Sequence, residues 1–143
     1  MDENKETNII CKAIFIKKIN FERTPQLPEY LTDTSKYNFN ENIDFGLKIN
    51  AGLNKEKTEL LLEIIAELKD KKETVKINLE IIGIFSQKNE GSMTLEEFAE
   101  ISAPAYMLPY IRETISYITL HSGMVPIIIP PLNIKKHLSK KNN

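Results

Sequence analysis

Regular alternation of apolar and polar residues over two long segments constrains the fold of this chain most. Apolar side chains occupy every second position of Ile43–Leu53, and Val75–Phe85 repeats the pattern. Successive side chains of a β-strand point to opposite faces, so a period of two predicts a half-buried strand. A looser alternation over Ile9–Arg23 predicts another strand. The chain is therefore expected to form a sheet with one buried face.

The segment Thr58–Lys69 is ambiguous between helix and strand. Its leucine, alanine, glutamate and lysine residues favour a helix by propensity. However, Asp70–Glu73 has the character of a hairpin turn and leads directly into the alternating segment Val75–Phe85. Because pairing within a sheet can override local propensity, we predict a fourth strand here.

The faces of the first strand and the connection after it bear on function. Cys11, Ala13, Phe15, Ile19 and Phe21 are predicted on one face, and Ile14, Ile16 and Lys18 on the other, together with Ile82 of the last strand. The long connection Thr24–Asn42 contains the apolar anchors Tyr30, Tyr37 and Phe39. Long ordered loops often carry function, which makes this connection a candidate site.

The second half of the sequence predicts helices. Thr94 and Glu97 form a capping box, and the short helix that they begin is expected to end before Pro104. A longer helix is predicted from about Leu108 to Ser122, followed by a short one around Ile134 and Leu138. The long helix has one apolar stripe and further apolar residues that widen it: Leu108, Ile111, Ile115, Ile118, Tyr110, Tyr117 and Leu120. A partner subunit is expected to cover the second apolar side.

Composition argues against several classes of function. The formal net charge of −1 lacks the basic excess of nucleic-acid-binding domains. The single cysteine, Cys11, excludes an intrachain disulfide. No converging reactive residues accompany Cys11, His121 or His137, so we expect no enzyme, metal site or cofactor. The chain opens with no leader and has no run of about 20 apolar residues, which predicts a cytoplasmic protein without membrane insertion.

A series of short motifs between Ser102 and Ile134 is the most specific feature of the sequence. In chain order they are Leu108-Pro109-Tyr110, Arg112-Glu113, Gly123, Val125-Pro126, Ile127–Ile129 and Pro130-Pro131-Leu132-Asn133. Together they resemble the C-terminal half of the SecB protein-export chaperones. Ile14–Glu22 and Gly83–Phe85 resemble the first strand and the end of the fourth strand of that family. The resemblance covers residues 9–138 and leaves polar tails at 1–8 and 139–143.

The resemblance implies an α+β fold, with a four-stranded antiparallel sheet followed by C-terminal helices, assembled as a dimer of dimers. It also implies a homotetrameric holdase that binds non-native polypeptides or preproteins in apolar grooves without ATP. The groove positions carried over from the family are Tyr37, Phe39, Phe45, Leu47, Tyr110, Ile127, Ile129 and Leu132. The helix positions expected at the oligomer interface are Ile111, Ile115, Tyr117 and Ile118.

The charge pattern departs from the family where SecB docks the SecA motor. The corresponding positions are Lys18, Glu22 and Asn78, of which only Glu22 is acidic, and the C-terminal tail is basic. Charge complementarity governs encounter and specificity, so weaker SecA binding is expected. Two roles therefore stay open, with protein export preferred over a chaperone dedicated to the antitoxin of a toxin-antitoxin system. A small-ligand-binding or enzyme domain is the alternative of another class.

Overall fold

The architecture is one antiparallel sheet followed by helices. The computed structural model describes residues 8–89 and 91–132, so the helix predicted around Ile134 and Leu138 lies outside the described residues. The strands are β1 (Ile9–Arg23), β2 (Ile43–Leu53), β3 (Glu59–Asp70) and β4 (Val75–Gln87), and their order across the sheet is β1-β4-β3-β2. The predicted four-stranded antiparallel sheet is confirmed, including the ambiguous third strand.

One face of the sheet forms the core. Alternate residues of the two central strands are buried on this inner face: Leu60, Leu62, Ile64, Ala66 and Leu68 on β3, and Val75, Ile77, Leu79 and Ile81 on β4. β3 pairs with β2 on one side and β4 on the other. A strand that is hydrogen-bonded on both sides and apolar on one face is stable as a strand despite helix-favouring residues.

Two β-bulges change the faces of β1. The register shifts between Cys11 and Ala13 and again between Ile16 and Lys18. Each bulge inserts one residue and reverses the alternation beyond it. The predicted placement of Ile14 and Ile16 beside Ile82 is therefore wrong, because they pair with Gly83 and Ile81 on the inner face. Ala13 and Phe15, which are predicted on the inner face, pair with Ile84 and Ile82 on the outer face instead.

The connection between β1 and β2, residues 24–42, is called the crossover loop here. β1 and β2 form opposite edges of the sheet, so this loop must cross the whole sheet. It contains a short 3-10 turn, Glu29–Leu31, and the helix α1, Phe39–Asn42. Leu31 is completely buried and anchors the loop on the core.

The helical region is more continuous than predicted. The capping box of Thr94 and Glu97 is confirmed and begins α2, Leu95–Glu97. A π-helical turn, Phe98–Ser102, then leads directly into α3, Ala103–Leu120. The prediction that Pro104 separates two helices is wrong. Its missing amide hydrogen and its ring are tolerated, because the preceding turn is wide and Pro104 lies at the start of α3. None of the described helices is long and apolar enough to cross a membrane.

The segment after α3, residues 124–132, is called the strap here. The Ile127 amide donates to Thr119 Oγ1 at 2.8 Å, and Arg112 Nε donates to the Ile129 carbonyl at 2.8 Å. The Val125 amide donates to the Leu31 carbonyl at 2.8 Å. These hydrogen bonds hold the strap against α3 and join it to the crossover loop.

The close packing of α3 on β4 depends on Gly83. A Cβ atom there would lie 2.6 Å from Met107 Sδ and 2.9 Å from a ring carbon of Phe85. Gly83→Ala is therefore expected to lower the free energy of unfolding by about 1–3 kcal/mol through overpacking. Gly46→Ala is the control, because a Cβ at Gly46 meets nothing within 4 Å. Urea denaturation measures both variants, and equal losses would contradict this account.

Candidate functional site

A partly exposed apolar surface lies along the inner face of the edge strand β2. Phe45 and Leu47 are both partly buried and pack against the core. Phe39 of α1 meets Phe45 edge-to-face, with 6.4 Å between the ring centroids. Tyr37 of the crossover loop also packs partly buried against the core. These four residues are called the β2 patch here: Tyr37, Phe39, Phe45 and Leu47.

Local capping explains how the crossover loop presents Phe39. Asn38 caps α1, and its Oδ1 accepts a hydrogen bond from the Glu41 amide at 3.1 Å. Asn42 Oδ1 accepts a hydrogen bond from the Asn38 amide at 2.7 Å. These reciprocal bonds close a helix of only four residues that would not be stable alone. Phe39 is the first residue of this helix and is thereby directed toward β2.

The backbone edge of β2 adds polar groups to the patch. Among the described residues, β3 is the only strand that pairs with β2, so the other edge of β2 has no strand partner. An open strand edge offers a row of backbone donors and acceptors that an extended peptide can pair with. Apolar contacts and unselective backbone hydrogen bonds are therefore available side by side.

The hydroxyl of Tyr37 is the polar exception within the patch. It is buried and has no hydrogen-bond partner among the described residues. Burial raises the pKa of Tyr37 to about 12, so the phenol is neutral and can donate a hydrogen bond. An unpaired buried polar group costs about 1–3 kcal/mol. The patch therefore contains an unpaired donor that is buried in this structure.

The other carried-over groove positions lie outside this cluster. Tyr110 is exposed on α3, and Leu132 is partly buried at the end of the strap. Ile127 and Ile129 are 0% and 2% exposed, so they fill the core of their own protomer. Ile128 between them is 61% exposed. In three successive isoleucines, the sequence does not indicate which side chain faces outward. The hydrogen bond from the Ile127 amide to Thr119 fixes the orientation of this segment on α3.

The helix residues predicted at the oligomer interface fall into two groups. Ile111 and Ile115 are completely buried against the protomer's own core, whereas Tyr117 is 62% exposed and Ile118 is partly buried. The exposed apolar residues of α3 recur at spacings of three, four and seven and are called the outer stripe here: Tyr106, Tyr110, Tyr117 and Leu120. The ring of Tyr106 also contacts Phe85 of β4, with 5.9 Å between the ring centroids. The helix thus has a second apolar side that its own sheet covers only near Tyr106.

The three positions aligned with the SecA-docking surface share the outer face of the sheet. Lys18 pairs with Glu80 and Glu22 pairs with Lys76, while Asn78 lies on the same face of β4. Both acidic and basic side chains surround them and form ion pairs with one another. Lys17 Nζ, for example, lies 3.3 Å from the carboxylate of Glu63 and 3.9 Å from that of Glu80. This face presents mixed charge rather than an acidic surface.

The cysteine and the described histidine lie on different elements. Cys11 is partly buried on β1, and His121 is exposed at the end of α3, with its ring 4.2 Å from that of Tyr117. His137 lies outside the described residues. Within 8–89 and 91–132, no three histidine, cysteine, aspartate or glutamate side chains are arranged to hold a metal ion.

Comparison with known proteins places the chain in a family. The model of "Preprotein translocase subunit SecB" matches residues 2–142. An uncharacterised protein of Methanocaldococcus jannaschii is 32% identical over 100 residues, which cover 69% of this chain and 64% of that protein. The protein-export protein SecB of Orientia tsutsugamushi is 24% identical over 97% of this chain and 86% of its own length.

A solved structure shares the fold at much lower sequence identity. It is the Mycobacterium tuberculosis SecB-like chaperone in complex with a ChAD peptide from the HigA1 antitoxin. The TM-score is 0.68, the identity is 14%, and the match covers 88% of each chain. The family match over nearly the whole sequence and this agreement in fold lead to one assignment. The chain belongs to the SecB family.

Proposed function

We propose that this protein is an ATP-independent holdase that binds unfolded polypeptides. The β2 patch beside an open strand edge is the observation that carries the proposal. Burial of apolar client surface contributes about 25 cal/mol per Å². Ordering a flexible client opposes that gain, so each patch binds one segment weakly. A folded protein hides the segments that the patch needs and is not bound.

Assembly into a homotetramer, as a dimer of dimers, is part of the same proposal. It is supported by the outer stripe of α3, which leaves large apolar side chains exposed on a single protomer. Tyr117 and Leu120 are 62% and 56% exposed. Contiguous exposed apolar residues are typical of an interaction surface. Several patches in one assembly raise avidity for a long client, because binding of one segment increases the effective concentration of the next.

Preproteins destined for Sec-dependent export are the clients that we propose first. This choice is supported by the family match and by relatives such as the Orientia tsutsugamushi protein, which is named a protein-export protein. A chaperone dedicated to one antitoxin is the second candidate, because the similar Mycobacterium tuberculosis protein was solved with an antitoxin peptide. Recovery of many unfolded precursors with the protein from its own cells would favour export, and recovery of one antitoxin would favour the second role.

Restoring acidic charge on the outer face is expected to strengthen SecA binding. The double variant Lys18→Asp with Asn78→Glu should raise the association rate severalfold at low ionic strength, and the gain should shrink as salt is added. Surface plasmon resonance with SecA measures the rate. Lys48→Asp is the control, because Lys48 lies on the opposite edge strand. Equal gains for both variants would contradict a docking role for these positions.

The holdase activity is tested by the aggregation of a chemically denatured client on dilution. Stoichiometric amounts of this protein should suppress light scattering equally with and without ATP. Unchanged aggregation at a molar excess of the protein would contradict the proposal.

A further inference from the structure

A buried carboxylate in the β3–β4 turn holds the crossover loop. Asp70, the last residue of β3, is completely buried. Its Oδ2 accepts hydrogen bonds from Tyr30 Oη at 2.6 Å and from Thr74 Oγ1 at 2.7 Å. Its Oδ1 accepts from the amides of Thr74 at 2.7 Å and Val75 at 2.8 Å. Tyr30 is the one donor of this set that comes from the crossover loop.

The same turn fastens the loop at a second point. The Lys71 amide donates to the Asn42 carbonyl at 2.9 Å, at the end of α1. The Lys72 amide donates to Tyr30 Oη at 3.3 Å. The part of the loop between Tyr30 and Asn42 is therefore attached to the hairpin turn at both ends. Tyr37 and Phe39, two of the four residues of the β2 patch, lie between the attachments.

Asp70 is charged and depends on these donors. Burial raises the pKa of its carboxyl group, but the hydrogen bonds from Tyr30, Thr74 and Val75 outweigh burial and hold the pKa below its ordinary value. Among the described residues, no lysine or arginine forms an ion pair with it. A buried charge without a countercharge is stabilised by its hydrogen bonds. Loss of the Tyr30 hydroxyl therefore removes one of the two hydrogen bonds that Asp70 Oδ2 accepts.

We propose that Tyr30 and Asp70 form a latch, a hydrogen bond that holds the crossover loop in place. The latch positions Tyr37 and Phe39 in the β2 patch for client binding. The inference rests on the proposed holdase function and names positioning residues for it. With the latch closed, Phe39 packs against Phe45 and the patch is complete. With the latch open, the loop between Tyr30 and Asn42 loses one of its two attachments to the hairpin turn and is held at this end by the buried Leu31. Affinity then falls in proportion to the fraction of molecules that keep the loop in place.

The test uses the full-length protein and reduced, carboxymethylated α-lactalbumin, an unfolded chain that cannot refold. Tyr30→Phe removes only the hydroxyl and should weaken binding of this probe by up to about tenfold, the limit set by losing one hydrogen bond to a charged group. Ser35→Ala is the matched control. It removes a hydroxyl–carboxylate hydrogen bond to Asp33, 2.7 Å long, within the same loop but without contact to the hairpin turn. It should leave the affinity unchanged.

Two further measurements separate positioning from a general loss of stability. Amide hydrogen exchange in Tyr30→Phe should increase in residues 30–42, while β3 and β4 keep their protection. In a Phe39→Ala background, Tyr30→Phe should cost little additional affinity. The loop segment that the Tyr30 hydroxyl positions has then already lost the ring of Phe39.

The outcomes distinguish the latch from the holdase function. If the wild-type protein binds the probe and Tyr30→Phe binds it equally well, the latch is wrong and the holdase function stands. If the effects of Tyr30→Phe and Phe39→Ala on affinity are fully additive, the Tyr30 hydroxyl does not act by positioning Phe39, and the latch is again wrong. If the wild-type protein does not bind the probe, the latch falls together with the proposed function.

Discussion

The double variant Phe39→Ser with Phe45→Ser is expected to bind an unfolded polypeptide about tenfold more weakly than the wild-type protein. Both rings are already partly buried in the protomer, so a client covers only part of each ring. Each ring then contributes roughly 0.5–1 kcal/mol, rather than about 1.5–3 kcal/mol for a whole side chain, and 1.4 kcal/mol corresponds to a factor of ten in affinity. The two rings are in edge-to-face contact, with 6.4 Å between their centroids, so one client segment would cover both. Fluorescence anisotropy of labelled, carboxymethylated α-lactalbumin measures the dissociation constant.

The matched control for this variant lies on the other face of the sheet. Phe15→Ser removes an aromatic ring that is 45% exposed beside Ile82 on the outer face. It should leave the dissociation constant within about twofold of the wild-type value, since no part of the β2 patch changes. Circular dichroism checks that both variants are folded. Equal weakening by the control would show that exposed aromatic side chains in general, rather than the β2 patch, bind the client.

The double variant Tyr117→Asp with Leu120→Asp is expected to convert the assembly to smaller species. Covering these positions in an interface would then bury two unpaired charges, which is far more costly than burying the native side chains. Size-exclusion chromatography with light scattering should give four times the monomer mass for the wild-type protein and a lower mass for the variant. Leu61→Asp, at a residue 47% exposed on the outer sheet face, should keep the wild-type mass. A wild-type monomer would contradict the proposed assembly.

Much of the sheet could be predicted because its determinants are local. The alternation of Ile43–Leu53 and Val75–Phe85 identifies two strands, and the turn at Asp70–Glu73 converts the ambiguous segment before it into their neighbour. The capping box of Thr94 likewise needs only residues within one helical turn. Elements whose stability depends on nearest neighbours along the chain are visible in the sequence.

Other features depend on contacts that no local pattern encodes. The bulges of β1 follow from pairing with β4 and place Phe15, rather than Ile14 and Ile16, on the outer face. The wide turn before Pro104 lets the helix continue where proline alone predicts a break. In the sequence Asp70 is an ordinary turn residue, and its hydrogen bond from Tyr30, which is distant in sequence, has no local signal.

The candidate site was predictable in part. Family resemblance predicts Tyr37, Phe39, Phe45 and Leu47, which are all partly buried against the core, and Phe39 contacts Phe45. Their role in client binding stays a proposal. Ile127 and Ile129 came from the same resemblance and are buried, because the strap lies inward along α3. A pattern of apolar residues identifies a surface that can be buried but does not distinguish the protomer's own core from a surface for a client.

The sharpest test of holdase function compares the binding of one client protein in its folded and its unfolded form. Native α-lactalbumin and its reduced, carboxymethylated form have the same sequence and differ in the exposure of extended apolar segments. The account predicts saturable binding of the unfolded form without ATP and no detectable binding of the native form. Equal binding of both forms, or of neither, would contradict it.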